Sequence, residues 1–356
     1  MSTPAMTVRR ERRDAPSGLI AFAALAAVTA AALLWSKWLP YGDKLQAVVA
    51  SERWADPSVL DEAGRAGSSP SLAGGWSFTT AYFADVWKAI VAALVIGAAL
   101  QALVPTDWLA RARGREAGLR GALAGGVLGL PFLMCTACAA PVAVALRRQG
   151  ASTATTLGYA IGSPVLNPAV LVFIAVLGPW QWVATRIVVG IVLVLGLVAL
   201  VARGAPDEVL EQDAPSTMDV AVLHDAPKRF VARLVRLTLT LIPLYVVTML
   251  VFGVFRGWLF PLDATTGIAL ALLVAVTLGT LIDLPTAGEV PVLLALSAAG
   301  MHAGVIGALL ITLPAISFVT MTMLAPSHTV RTTLAAAGAV AASGLLAAGM
   351  LGVLSA

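Results

Sequence analysis

Charge is what this sequence lacks. Asp, Glu, Lys and Arg make up only 12% of its 356 residues, against roughly 25% in soluble domains. Hydrophobic residues reach 59% and mean hydropathy is +0.90, far more apolar surface than a soluble core of this size needs. Cysteine is nearly missing too, since Cys135 and Cys138 are the only two. Two thiols do not complete a tetrahedral zinc site and no His adjoins them, so no structural metal is expected. No Gly-rich phosphate loop with its lysine occurs, so ATP drive is not expected; no cofactor is expected either. There is no polybasic stripe with interleaved aromatics, which removes nucleic acid from the partners. There is no cluster of catalytic His, Ser and Asp, which argues against an enzyme.

What is present is a series of apolar runs of about 20 residues, the length that crosses roughly 30 Å of hydrocarbon. The first, 19–39, follows Arg9, Arg10, Arg12 and Arg13. It is longer than the apolar part of a signal peptide and ends in Trp35, Lys37 and Trp38, an interfacial anchor. It therefore reads as a retained helix. Further apolar segments cover 78–104, 121–146, 153–177, 182–202, 233–254, 264–282, 289–299, 303–324 and 332–354. The polar stretches 40–77 and 203–232 carry no apolar period and read as solvated loops.

An internal repeat is the most informative feature. A shift of 150 residues places Pro141 on Pro291, Val142 on Val292, Ala145 on Ala295 and Leu146 on Leu296. It also places Gly150 on Gly300, Ile161 on Ile311 and Pro164 on Pro314. Spans 83–104 and 182–202 map onto 233–254 and 332–352.

Arginine sets the expected orientation. The amino-terminal cluster, the loop with Arg111, Arg113, Arg115 and Arg120, and the basic stretch 203–236 should all be cytoplasmic. Three apolar segments separate the last two, where only two crossings fit. One segment must enter and leave on the same side. Segment 121–148 suits this, with Pro131 and Pro141 inside it, glycines at 121, 125, 126 and 129, and Arg147-Arg148 at its end. Each arm of about 12 residues reaches roughly 18 Å, just past the midplane. By the repeat, 267–299 is a second hairpin entering from the opposite face. The expected fold is an all-α integral membrane protein, an inverted-repeat transporter with about seven full spans plus two re-entrant, broken hairpins. Its parts are 1–77, an amino-terminal helix and extracytoplasmic loop; 78–202, repeat 1 with hairpin 121–148; 203–232, a cytoplasmic linker; and 233–356, repeat 2 with hairpin 267–299. A plain bundle of nine proline-kinked spans is the alternative.

Broken backbone at membrane depth is tolerated only where protein or water satisfies it, so the hairpin tips are the expected site. In hairpin one, Cys135 and Cys138 are spaced to share one helical turn. Thiolates select Cu(I), zinc or thiophilic metalloids. Packing as small hydrophobes and a redox disulfide remain open alternatives. In hairpin two, Asp283 and Glu289 are the only acids between 264 and 356. Carboxylates at membrane depth mark ion or proton sites, and a hydrated mouth is the bland alternative. Span 153–177 holds Gly162-Ser163-Pro164-Val165-Leu166-Asn167-Pro168. Its prolines remove helical donors and free carbonyls. Asn167, Ser163 and the repeat partner Ser317 are substrate-binding candidates, with a packed kink the equal alternative. Thr280, Thr286, Thr312 and Thr320 are expected to satisfy backbone, and His302 to lie at a membrane edge.

At these residues the chain resembles the ArsP/YraQ-type permease family, whose characterised members export trivalent organoarsenicals. The likeness rests on Pro131-Phe132 followed by close cysteines, on Pro141, and on Leu146-Arg147-Arg148-Gln149-Gly150-Ala151-Ser152. It continues through Ser163-Pro164-Val165-Leu166-Asn167-Pro168 and Glu289-Val290-Pro291, and covers roughly 80–354. Cys135 holds the family's first cysteine position, six before the proline, whereas Cys138 stands one residue off the second. The resemblance implies a secondary permease in a bacterial inner membrane, multi-pass, with its amino terminus in the cytoplasm. The expected activity is proton-coupled efflux of a soft, thiol-reactive solute such as a trivalent organoarsenical or metalloid. Cys135 and Cys138 would contact the solute, and Glu289 or Asp283 would carry the proton. A channel-like or uptake carrier for a small anion or sulfur compound is the alternative. Expected partners are the substrate, the lipid bilayer and, in a homodimer, a second copy.

Overall fold

The computed structural model describes residues 4–54, 69–104, 118–205, 224–255 and 267–355. Those residues are helical with irregular connections, and no strand occurs among them. Helix α1 (Pro4–Leu33) runs through a π-helical turn, Leu34–Trp38, into α2 (Leu39–Ser51), and α3 (Leu72–Leu103) follows. Next come α4 (Leu119–Gly129) and α5 (Thr136–Arg148), joined by a 3-10 turn at Leu130–Phe132. Then α6 (Thr153–Val165) and α7 (Pro168–Leu177) form one broken span. The first half closes with α8 (Trp180–Ile191), a π-helical turn and α9 (Val198–Arg203). The second half comprises α10 (Ala226–Val254), α11 (Ile268–Leu281), α12 (Glu289–Ala298), α13 (Ala303–Ala315), α14 (Phe318–His328) and α15 (Val330–Leu354).

Among the described residues six stretches are long and apolar enough to cross a bilayer: Gly18–Ser51, Leu72–Leu103, Thr153–Leu177, Trp180–Arg203, Ala226–Val254 and Val330–Leu354. The pair α13 and α14, bent by 48°, makes a seventh. With the shorter α4, α11 and α12 left over, the chain is an all-helical integral membrane protein, as expected, and its described residues make seven spans and two broken segments.

One expectation needs correction. Residues 40–77 are not a single solvated loop, because α2 and the first turns of α3 occupy much of that stretch. Tyr41, Leu45 and Val48 pack against the cluster around Phe173, a helical stripe hidden among polar neighbours. Ser71 caps α3 by accepting from the Gly74 amide. Of the second polar stretch, 206–223 lie outside the described residues, as do Arg111, Arg113 and Arg115.

Helix contacts fix the directions. Gly75 of α3 lies against Val254 of α10, Gly97 against Leu237, and the Tyr82 and Tyr245 hydroxyl oxygens are 3.2 Å apart. These first spans of the two repeats are therefore antiparallel, so the repeats run in opposite senses. Gly158 meets Ala122, Gly126 meets Gly162, and Gly129 meets Ser163, so α4 runs parallel to α6. Because α6 starts directly after α5 ends, α5 must come back to the side where α4 began. The first broken segment is thus a hairpin whose tip reaches the middle of span 153–177. Its stem lies where α3 ends, since Gln149 Nε2 donates to Leu100 O at 3.4 Å. The second hairpin stems from the opposite end: Gly307, near the start of α13, lies against Leu351, while the far end of α14 holds His328 against Thr156 at 2.7 Å.

Lipid gives helices no hydrophobic reason to associate, so close backbone packing does more of the work. On α4, glycines 121, 125 and 129 form one small-residue face, and a Cβ on Gly125 would fall 1.9 Å from the Thr155 carbonyl.

Candidate functional site

The two hairpin tips meet. Hairpin one breaks at Leu133–Cys135 and hairpin two between Leu281 and Glu289. Each break holds a non-glycine residue in the left-handed region, Leu133 at φ 49° and Ala287 at φ 67°. Such strain persists only where surroundings over-determine it. Across the junction Thr136 Oγ1 donates to Asp283 Oδ1 at 2.5 Å, and Thr286 Oγ1 donates to Leu133 O at 3.4 Å. Asp283 is buried. Tyr82 Oη also donates to its Oδ2, and Tyr245 Oη does so at 3.2 Å. This carboxylate is surrounded by hydroxyl donors and has no cation paired with it among the described residues. It also faces the amino-terminal end of α5, where helix amides favour negative charge.

Cys135 directly precedes the first turn of α5, with no capping bond from its side chain, and Cys138 lies one turn in. Both are buried and free. Their Sγ atoms are 2.8 Å apart, with the Cys135 thiol donating. A third soft atom is close: Met134 precedes Cys135, is fully buried, and accepts from Tyr159 Oη through its Sδ at 3.6 Å.

The other expected residues divide. Glu289, at the start of α12, pairs with Arg186 Nη2 at 2.8 Å, both buried. Arg186 also bonds the Val165 carbonyl from Nε at 2.9 Å and the Pro164 carbonyl from Nη2 at 3.0 Å. Proline at 168 removes the amide that would have reached Pro164 O, and the Ala169 amide turns to Asn167 Oδ1 at 3.1 Å. Arg186 thus supplies the donors that the broken helix lost. Asn167 is fully buried, and its Nδ2 has no hydrogen-bond partner. It lines a gap of about 10 Å³ at the junction together with Met134, Cys135, Thr136, Thr286 and Glu289. Ser163 is committed elsewhere, donating to Gly129 O at 2.8 Å. Ser317 caps α14 by accepting from the Thr320 amide, and lies 3.4 Å from Thr136 Oγ1. Thr280 and Thr312 donate to carbonyls one turn back, while His302 caps α13 by accepting from the Gly304 amide.

Sequence reasoning missed the role of the amino-terminal helix. Lys37, in the π-helical turn, is buried and donates from Nζ to Thr286 Oγ1 at 2.9 Å. Tyr41 Oη donates to Thr286 O at 2.8 Å, and Trp38 Nε1 to Pro131 O at 2.7 Å. One segment therefore grips both tips. Inserted π turns often mark functional positions, and a lysine inside an apolar run was the available signal. Tyr82, Tyr245 and Arg186 were missed as well; Arg186, lone in an apolar span, was the most legible of them.

Cavities approach the thiols from two sides. One of about 310 Å³ is lined by Lys37, Tyr41, Lys44, Lys88, Cys135 and Thr286, among others. Another of about 340 Å³ lies by the hairpin-one stem, between α3, α5, α10 and α14. A gap of about 10 Å³, lined by Cys138, Tyr245, Leu241 and Met323, lies between the second cavity and the thiols.

Paired broken hairpins in inverted repeats, with buried polar groups at their junction, define a membrane permease. The comparisons agree. Residues 77–353 match the ArsP family described as "Predicted permease", and the chain belongs to that family. It is similar to the UPF0718 protein YraQ of Escherichia coli (strain K12), 37% identical over 330 residues, covering 91% of this chain and 92% of that one. No solved structure matches.

Proposed function

We propose that this permease is a proton-coupled secondary exporter of a soft, thiol-reactive solute such as a trivalent organoarsenical or metalloid. The observation that carries the reading is the contact between Thr136 and Asp283, which puts a buried carboxylate one residue from Cys135. Soft metalloids bind thiols, and Asn167 Nδ2 offers a vacant donor at the same junction. Of the two acids, Asp283 is the better proton carrier. Hydroxyl partners can serve a carboxylate in either protonation state, since a hydroxyl both donates and accepts. Protonating Glu289 would instead break its ion pair and leave the Arg186 charge buried.

Arg120, Arg148, Arg203 and Arg229 gather toward the end of the bundle where hairpin one is rooted. By the positive-inside rule that end is cytoplasmic, with the amino terminus, in a bacterial inner membrane. Solute then enters from the 340 Å³ cavity, passes the thiols and leaves by the 310 Å³ cavity.

The test is flux of phenylarsine oxide in proteoliposomes under an imposed pH gradient. Asp283→Asn should abolish gradient dependence, and Cys135→Ser should abolish transport. Full gradient-driven flux in Asp283→Asn would remove the coupling assignment. Unchanged transport in Cys135→Ser would remove the thiol site.

A further inference from the structure

A single apolar layer separates Cys138 from the 340 Å³ cavity. Leu241 and Met323 line both that cavity and the gap that Cys138 lines. The cavity wall differs sharply from this floor. Among its described lining residues are Arg148, Arg233 and Arg236, and no Asp or Glu. Gln101 is only 3% exposed and lines the same cavity, yet its Nε2 has no hydrogen-bond partner. A buried amide donor without a partner is an unmade hydrogen bond that an acceptor on a ligand would complete. Thr240, Thr322 and Ser327 add hydroxyls.

We propose that this cavity is an anion-binding site on the solute path. Arg148, Arg233, Arg236 and Gln101 hold a carboxylate or comparable group of a small organic anion whose soft atom passes to Cys138. The inference rests on the reading of the hairpin junction as the solute path and narrows its substrate class. Arginine forks match carboxylates with paired donors. The volume falls within the range of pockets that enclose small organic ligands, and the Leu241–Met323 floor suits an apolar body. Among the described residues that line the opposite cavity, Lys37, Lys44 and Lys88 outnumber Asp85. Clefts lined with one sign of charge concentrate the opposite ion.

The experiment uses the full-length protein in nanodiscs of zwitterionic lipid. Three ligands are compared: phenylarsine oxide, its 4-carboxylate and benzoate. The carboxylate should bind about tenfold tighter than the neutral compound, roughly the value of one charge-assisted hydrogen bond. Arg233→Gln with Arg236→Gln should erase that preference and leave phenylarsine oxide binding unchanged, which also certifies that the variant folds. In the wild type, added salt should weaken only the carboxylate. Equal affinities, or a salt effect shared by both arsenicals, would overturn the site. So would loss of the preference in discs containing phosphatidylglycerol, which would assign the arginines to a lipid headgroup. Arginine-dependent benzoate binding without cysteine-dependent arsenical binding would uphold the anion site while removing the thiol reading, so the two fail separately.

Discussion

Thr136 and Asp283 are 147 residues apart in the chain, yet Thr136 Oγ1 donates to Asp283 Oδ1 at 2.5 Å across the meeting point of two broken hairpins. Each belongs to a different repeat. Their contact joins the thiol end of hairpin one to the acidic end of hairpin two. If this bond links proton and solute, Thr136→Val should lower gradient-driven flux, and so should Asp283→Asn. The double variant should lose no more than Asp283→Asn alone. A double-mutant cycle on flux measures this; groups in contact couple by about 0.5–3 kcal/mol, and additive losses would separate the residues.

The Arg186–Glu289 pair should behave as structure. Removing one partner of a buried ion pair costs about 3–5 kcal/mol, so Glu289→Gln should unfold at lower denaturant or temperature. Arg186→Met should be worse, because the Pro164 and Val165 carbonyls lose their donor as well. Arg186→Met with Glu289→Leu should recover only part of the loss. Thermal unfolding in detergent ranks the three.

Lys37 is expected to close the hairpin junction toward the 310 Å³ cavity. In a Cys138→Ser background, Lys37→Ala should speed modification of Cys135 by an impermeant methanethiosulfonate. A hydrogen bond to a charged group is worth about 1.5–3 kcal/mol, so the rate should rise tenfold or more. Thr286→Ala should do the same, and the pair should add little. Rates equal to the parent's would leave Lys37 a mere anchor.

Glycine positions offer a test of the packing. Gly125→Ala should prevent assembly, since its Cβ would lie 1.9 Å from the Thr155 carbonyl. Gly349→Ala in α15, with nothing within 4 Å of its Cβ, should be tolerated and add about 0.5–1 kcal/mol through helix propensity. Expression and thermal melting decide both. A stable Gly125→Ala protein would contradict the α4–α6 interface, and loss of folding in Gly349→Ala would contradict the open surface around that residue of α15.

By itself the sequence determined that this chain lives in a membrane, where it spans, and where its helices break. Apolar length, proline and glycine placement and the 150-residue repeat are local signals, and lipid leaves the backbone little freedom to disobey them. The same signals led to Cys135, Cys138, Asp283 and Asn167. Only the tertiary structure decided which partners those residues meet. Asp283 and Glu289 look alike in sequence, but one meets hydroxyls from three helices and the other meets Arg186. Lys37, Tyr82 and Tyr245 sit in ordinary apolar spans, where helix periodicity says which residues share a face but not what that face will meet. Partners 38 to 249 residues apart leave no periodic trace, because a hydrogen bond across a fold depends on how whole helices dock.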